Sequence, residues 1–262
     1  MTRILLAALI VLCALPAQAQ STLTPEDFSG LAVVQKLGDA LPLDVGLRDE
    51  NGNALQLGDI LHGKPLLLFL GYFHCPNLCG IERRAMVERL DSLDLAAGRD
   101  FDVAVVSVDP RETAADAREA KAADLALYTR HRAGAGWHYL SGDAASLARV
   151  TQAAGFPYRY DASIDQYAHP IGLILATPSG VLARYIQGVD YTARDLQLGL
   201  FEAARGAISA PATRLLLLCY HYDPAAGRYD LAIGQALRWL AAASVGGLAL
   251  LLLLLARKRQ ST

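Results

Sequence analysis

The chain has 262 residues, 53% of them hydrophobic and 19% charged, with 24 lysines and arginines against 26 aspartates and glutamates. So even a balance excludes an electrostatic nucleic-acid binder, and the length suits one sizeable domain with accessories. The charged fraction lies below the ~25% usual for soluble domains, which points to apolar segments somewhere in the chain. They lie at its two ends.

Residues 1–19 have the pattern of a secretory signal peptide: Arg3 gives a positive start, Ile4–Leu15 an apolar run, and Ala17-Gln18-Ala19 a small-x-small cleavage site. Cys13 lies inside that run, but Val11 and Leu12 precede it where a lipidation site needs small residues. Near the other end, Ala236–Ala256 is apolar apart from Arg238 and includes the run Leu250–Leu255. As a helix it rises ~31 Å, the thickness of a bilayer's hydrocarbon core. Trp239 suits the outer interface, and Arg257, Lys258 and Arg259 begin a short cytoplasmic tail, 257–262, by the positive-inside rule. The two ends therefore predict a domain on the extracytoplasmic, periplasmic side, held to the cytoplasmic membrane by a single C-terminal transmembrane helix.

In chain order, residues 20–61 predict an N-terminal arm and hairpin around the turn Asp49-Glu50-Asn51-Gly52-Asn53. The main domain, 62–206, opens with a buried strand over Leu66–Tyr72. A helix from about Cys79 to Ala97 follows, stopped by Gly98. A second buried strand covers Asp102–Val108, and Thr113–Arg132 has helical composition behind a threonine cap. Trp137–Leu140 predicts a strand and Asp143–Ala153 a helix. Ile171–Ala176 and Leu182–Ile186 flank the hairpin turn Thr177-Pro178-Ser179-Gly180, and Thr192–Arg205 is an amphipathic helix. Residues 207–235 connect this domain to the membrane segment. The order β-α-β-α-β-α-β-β-α predicts an α/β fold with a mixed sheet, and resembles the thioredoxin fold with an insertion.

The strongest local signal is Gly71-Tyr72-Phe73-His74-Cys75-Pro76-Asn77-Leu78-Cys79, where a buried strand gives way to a helix. Ligands and reactive groups collect at such strand ends, and a helix N-terminus favours thiolate over thiol. In a helix, residues four apart lie ~40° apart around the axis and ~6 Å apart along it. Cys75 and Cys79 thus have the spacing for a fixed disulfide, a reversible redox dithiol, or joint capture of a soft cation. A metal needs a third donor. His62, His131 and His138 are expected to face solvent, and His74 to point away from its neighbour Cys75. His169 precedes Pro170 and a strand, in a loop that thioredoxin-like folds bring against the dithiol. Two thiolates and an imidazole suit Cu(I), and Cu(II) with a weaker extra ligand, better than structural zinc. Oxidation to a disulfide would release the metal.

On Phe73-His74-Cys75-Pro76-Asn77-Leu78-Cys79, on Ser107-Val108-Asp109-Pro110-Arg111-Glu112-Thr113, and on the His169 strand with its hairpin, the chain resembles the Sco/SenC family across roughly Gly38–Glu202. The resemblance implies an extracytoplasmic thioredoxin-like protein that delivers copper to, or assists assembly of, the copper centre of cytochrome c oxidase. The copper ligands it implies are Cys75, Cys79 and His169. Its partners would be the oxidase subunit carrying the copper site and an upstream periplasmic copper donor. Ala168 and Pro170 depart from the acidic residue and small hydroxyl residue that often flank the family's histidine. Asp109-Pro110 is expected either to form a capping turn or to act directly. Some members with a C-terminal anchor look similar at Cys219-Tyr220-His221-Tyr222-Asp223-Pro224, a candidate second copper site at Cys219 and His221, which share a face if extended. The alternative function is a thiol–disulfide oxidoreductase that uses Cys75 and Cys79 as attacking and resolving thiols to reduce the oxidase cysteines.

Overall fold

The computed structural model describes residues 30–74, 78–129, 133–162 and 165–209, with Tyr220–Asp223, Arg228–Leu231 and Ser244. Its centre is a five-stranded mixed sheet in the order β5-β4-β3-β8-β9. These strands are β3 (Leu66–Gly71), β4 (Asp102–Ser107), β5 (Trp137–Leu140), β8 (Gly172–Ala176) and β9 (Leu182–Gln187). β3 pairs in parallel with β4 and antiparallel with β8. It is buried along its whole length because alternate residues face two separate cores.

Leu67 and Phe69 enter one core, together with Met86, Val87 and Leu90 of helix α1 (Leu78–Asp91). Helices α2 (Ala114–Leu125) and α4 (Ala193–Ala204) cover the same face through Ala117, Ala120, Leu196 and Leu200. Leu66, Leu68 and Leu70 enter the other core, capped by Leu147 and Val150 of α3 (Ala144–Ala153). The N-terminal hairpin β1 (Gly46–Arg48) and β2 (Ala54–Gln56) lies on that second face through Leu47, with Leu57 and Ile60 just beyond it. Burying such leucines contributes ~1.5–3 kcal/mol each, so the central strand holds the two layers together.

The expected α/β class, mixed sheet and hairpin are all present. Thr113 and Thr192 cap α2 and α4 with reciprocal capping boxes to Asp116 and Asp195, and Asp143 caps α3. Gly180 turns the β8–β9 hairpin at φ +81°, a conformation that excludes most side chains. Two helices are shorter than expected. α1 stops at Asp91, where the Ser92 hydroxyl takes the Arg89 carbonyl and Leu93 turns into the core. α2 stops at Leu125, so that the Tyr128 hydroxyl can reach Ala97 N–H at 3.0 Å, and Arg130–Arg132 lie outside the described residues.

Two hairpins were not expected: β6 (Arg159–Asp161) with β7 (Gln166–Ala168), and β10 (Tyr220–Asp223) with β11 (Arg228–Leu231), the latter within the connector. No helix among the described residues is long and apolar enough to cross a membrane. The segments expected as signal peptide, 1–19, and span, 236–256, lie outside the described residues apart from Ser244, as does the tail, 257–262.

Candidate metal centre

The chain leaves β3 at Gly71 and reaches α1 within seven residues. Phe69 pairs with Leu173 across the antiparallel β3–β8 ladder, so the residues before Gly172 come opposite those after Gly71. His169 is thereby brought to the same edge of the sheet as the cysteine motif. Its half-buried ring stands edge-on to Tyr72, centroids 5.8 Å apart, and lies 5.7 Å from the ring of Phe156. Nδ1 lies 2.8 Å from the carbonyl oxygen of Pro170, which can only accept. Nδ1 therefore carries the proton of the neutral ring, and the lone pair resides on Nε2, the arrangement typical of a metal-binding imidazole.

Cys79 is the second residue of α1, within its first turn. Cys75 lies outside the described residues. The exposed ring of His74 faces the start of α2, with Nδ1 3.5 Å from Glu112 and 3.7 Å from Asp116.

Carboxylates fix the frame around this edge. Glu112 accepts the backbone N–H groups of Phe73 and His74, both at 2.8 Å, and a hydrogen bond from the Ser107 hydroxyl. It thereby clamps the chain immediately ahead of Cys75. Glu82, fully buried three residues after Cys79, accepts the Gly172 N–H at 2.7 Å and ties α1 to β8. Arg83 reaches the Phe73 carbonyl and pairs with the buried Asp124, whose other partner is the Tyr139 hydroxyl. Burial holds the Asp124 carboxyl above its ordinary range in spite of Arg83, and the same burial raises the Tyr139 phenol.

Asp109 closes a side-chain turn ahead of α2, whose cap is Thr113. It accepts Arg111 N–H at 2.9 Å and grips the Arg111 guanidinium with both oxygens. Arg111 then spans to Asp165 and lies over the rings of Tyr160 and Tyr167, fastening the β6–β7 hairpin that delivers His169. The Tyr160 hydroxyl and the Arg111 guanidinium hold the exposed Asp165 carboxyl below its usual range. Glu82, Glu112 and Asp165 were not singled out by spacing, because each acts across a long stretch of chain. The Glu112 within the Ser107–Thr113 motif was the one local cue.

Of the connector pair, His221 lies on β10 opposite Asp230, and Cys219 lies outside the described residues. His138 corrects its expectation. It is half-buried on β5 rather than solvent-facing, and burial pulls its imidazole below the ordinary value. His62 is exposed as expected, and His131 lies outside the described residues.

Solved structures share this architecture. A candidate electron transfer protein from Aquifex aeolicus VF5 is 26% identical, with a TM-score of 0.58 over 66% of this chain and 96% of its own. A candidate electron transport protein of the same organism is 27% identical, with a TM-score of 0.54 over 65% and 99%. ScoI of Arabidopsis thaliana, solved with copper bound, is 20% identical, with a TM-score of 0.52 over 65% and 99%, and bears on the fold alone. No curated protein matches. The SCO1/SenC family model matches residues 44–197, more than half of the chain and inclusive of both cysteines and His169. The chain belongs to the SCO1/SenC family.

Proposed function

We propose that this is a membrane-anchored, extracytoplasmic copper-binding protein that delivers copper to, or assists assembly of, the copper centre of cytochrome c oxidase. Cys75, Cys79 and His169 hold the ion. The observation that carries the proposal is the His169 ring, set at the edge of β3 that leads into the cysteine motif, with Nδ1 engaged by Pro170 and its lone pair on Nε2. Two thiolates and an imidazole form a soft donor set suited to Cu(I), and three ligands leave the ion open to attack. Transfer runs by ligand exchange, with the thiols of the oxidase subunit displacing these donors in turn. The same exchange in reverse loads the protein from a periplasmic copper donor. The C-terminal segment 236–256 anchors the domain beside its membrane partner.

A second reading, reduction of the oxidase cysteines by thiol–disulfide exchange, is favoured by the position of Cys79 in the first turn of α1, where thiolate is stabilised. The test is the Cu(I) stoichiometry of the reduced full-length chain in detergent, in a Cys219→Ser background. Copper delivery predicts one copper per chain, abolished in Cys75→Ser/Cys79→Ser and weakened in His169→Ala. Full copper binding by the double serine variant would eliminate the proposal. Loss of oxidase maturation in His169→Ala with disulfide exchange intact supports delivery; maturation that survives His169→Ala supports the reductase.

A further inference from the structure

At the other end of the sheet, where β3 and β4 begin, we propose a second metal site formed by His62, Asp102 and His138, for a divalent transition ion of borderline softness such as Zn(II) or Cu(II). One donor atom from each of the three lies within 4.8 Å of the others. Asp102 opens β4 and His138 lies on β5, paired with Ala104 two residues further along, while His62 sits in the turn four residues before β3. β3 and β4 run in parallel from here towards the cysteine motif, so six residues of strand, ~20 Å, separate this cluster from His169.

Two unmet demands point to a ligand. The Asp102 side chain is only 1% exposed, and its Oδ2 is buried without a hydrogen bond. His138 Nε2 is likewise buried and has no hydrogen-bond partner. A buried carboxylate oxygen and a buried imidazole nitrogen are each costly to leave unsatisfied, and native proteins seldom leave two together. A coordinated cation satisfies both. The geometry is close to what is needed: His62 Nδ1 stands 3.5 Å from Asp102 Oδ2, against ~3.3 Å between donors around a tetrahedral zinc. His62 is on an exposed turn and can supply the remaining adjustment.

The other carboxylate oxygen is already held. Asp102 Oδ1 accepts from Lys64 Nζ at 3.0 Å, which orients Oδ2 towards the histidines. Two lysines face the cluster: Lys64, and Lys121, which is paired with Glu50 at 2.6 Å. With three ligands and this positive charge, the ion is held in exchangeable form, short of the grip of a closed four-ligand structural zinc.

The test uses the full-length chain in detergent, with Cys75→Ser, Cys79→Ser, His169→Ala, Cys219→Ser and His221→Ala removing every other candidate ligand named above. Zinc sulfate is titrated against a chromophoric chelator. The expected result is one zinc per chain, with affinity reduced about tenfold or more by His62→Ala and by Asp102→Asn. Zinc should raise the melting temperature of the parent by clearly more than that of His62→Ala. The exposed His62 makes its variant informative even if Asp102→Asn fails to fold. No binding tighter than about 100 μM, or zinc binding unaltered by His62→Ala, overturns the proposal and leaves an Asp102–His62 ion pair in its place.

Discussion

The two ends of the central sheet use their carboxylates in opposite ways. Around His169, Glu112 and Glu82 accept backbone N–H groups, and Asp109 and Asp165 grip a guanidinium. Their charge goes into positioning the chain, and the donor set for a soft ion comes from elsewhere. At the opposite end Asp102 keeps one oxygen facing two imidazoles, so the carboxylate is itself a donor. The first arrangement builds a rigid frame around a loop; the second builds the ligand cluster directly onto strand ends.

That contrast can be attacked at several points. The largest effect is expected from Arg83→Met. It strands Asp124 as an uncompensated buried charge and frees the Phe73 carbonyl, at a cost of about 3–5 kcal/mol measured by urea unfolding. Next is Glu112→Ala, which removes two charge-assisted hydrogen bonds to the chain before Cys75. A loss of about 2–3 kcal/mol is expected, with Cu(I) affinity lowered about tenfold in a chelator competition. Glu112→Gln should recover part of both.

Thr192→Ala, which touches neither end, should cost about 1 kcal/mol through the lost cap of α4. The Asp195 and Asp116 carboxyls are held below their ordinary value of 3.8 by the N–H and hydroxyl of their capping threonines. Their folded values being depressed, they contribute stability that is present above about pH 4 and lost as pH falls through the folded values. Asp116→Asn and Asp195→Asn together should lower the melting temperature at pH 7 and flatten its fall below pH 4, so that variant and parent converge in acid. The smallest effect belongs to His62→Ala without added metal. An exposed imidazole 3.5 Å from its carboxylate should change stability by less than about 0.5 kcal/mol. A large loss there would show that the opposite end of the sheet is a structural ion pair.

The central strands were legible because β3 and β4 are buried on both faces and therefore form unbroken apolar runs. Helix starts were legible where a threonine or aspartate precedes an acidic or serine residue at the third position. The β6–β7 hairpin was not, since Arg159, Tyr160 and Asp161 are too exposed and too few to show alternation. Helix ends failed for a similar reason: Leu93 and Leu95 prolong the apolar spacing of α1 after the backbone has already turned. His169 could be singled out by the proline and strand that follow it. Glu82 could not, because its role depends on Gly172, ninety residues later. His138 was misjudged because a lone imidazole between Trp137 and Tyr139 looks the same in sequence whether solvent or a carboxylate lies beside it.

The bond from Gly172 to Glu82 joins a point three residues beyond His169 to a point three residues beyond Cys79. The helix and the strand are thus laced at matching distances from the two side chains they present. On the proposed delivery role, a partner that tugs the start of the helix would haul the histidine's strand with it, and release would be a concerted loosening of both arms. Weakening this single lace should then let one arm swing while the other stays put.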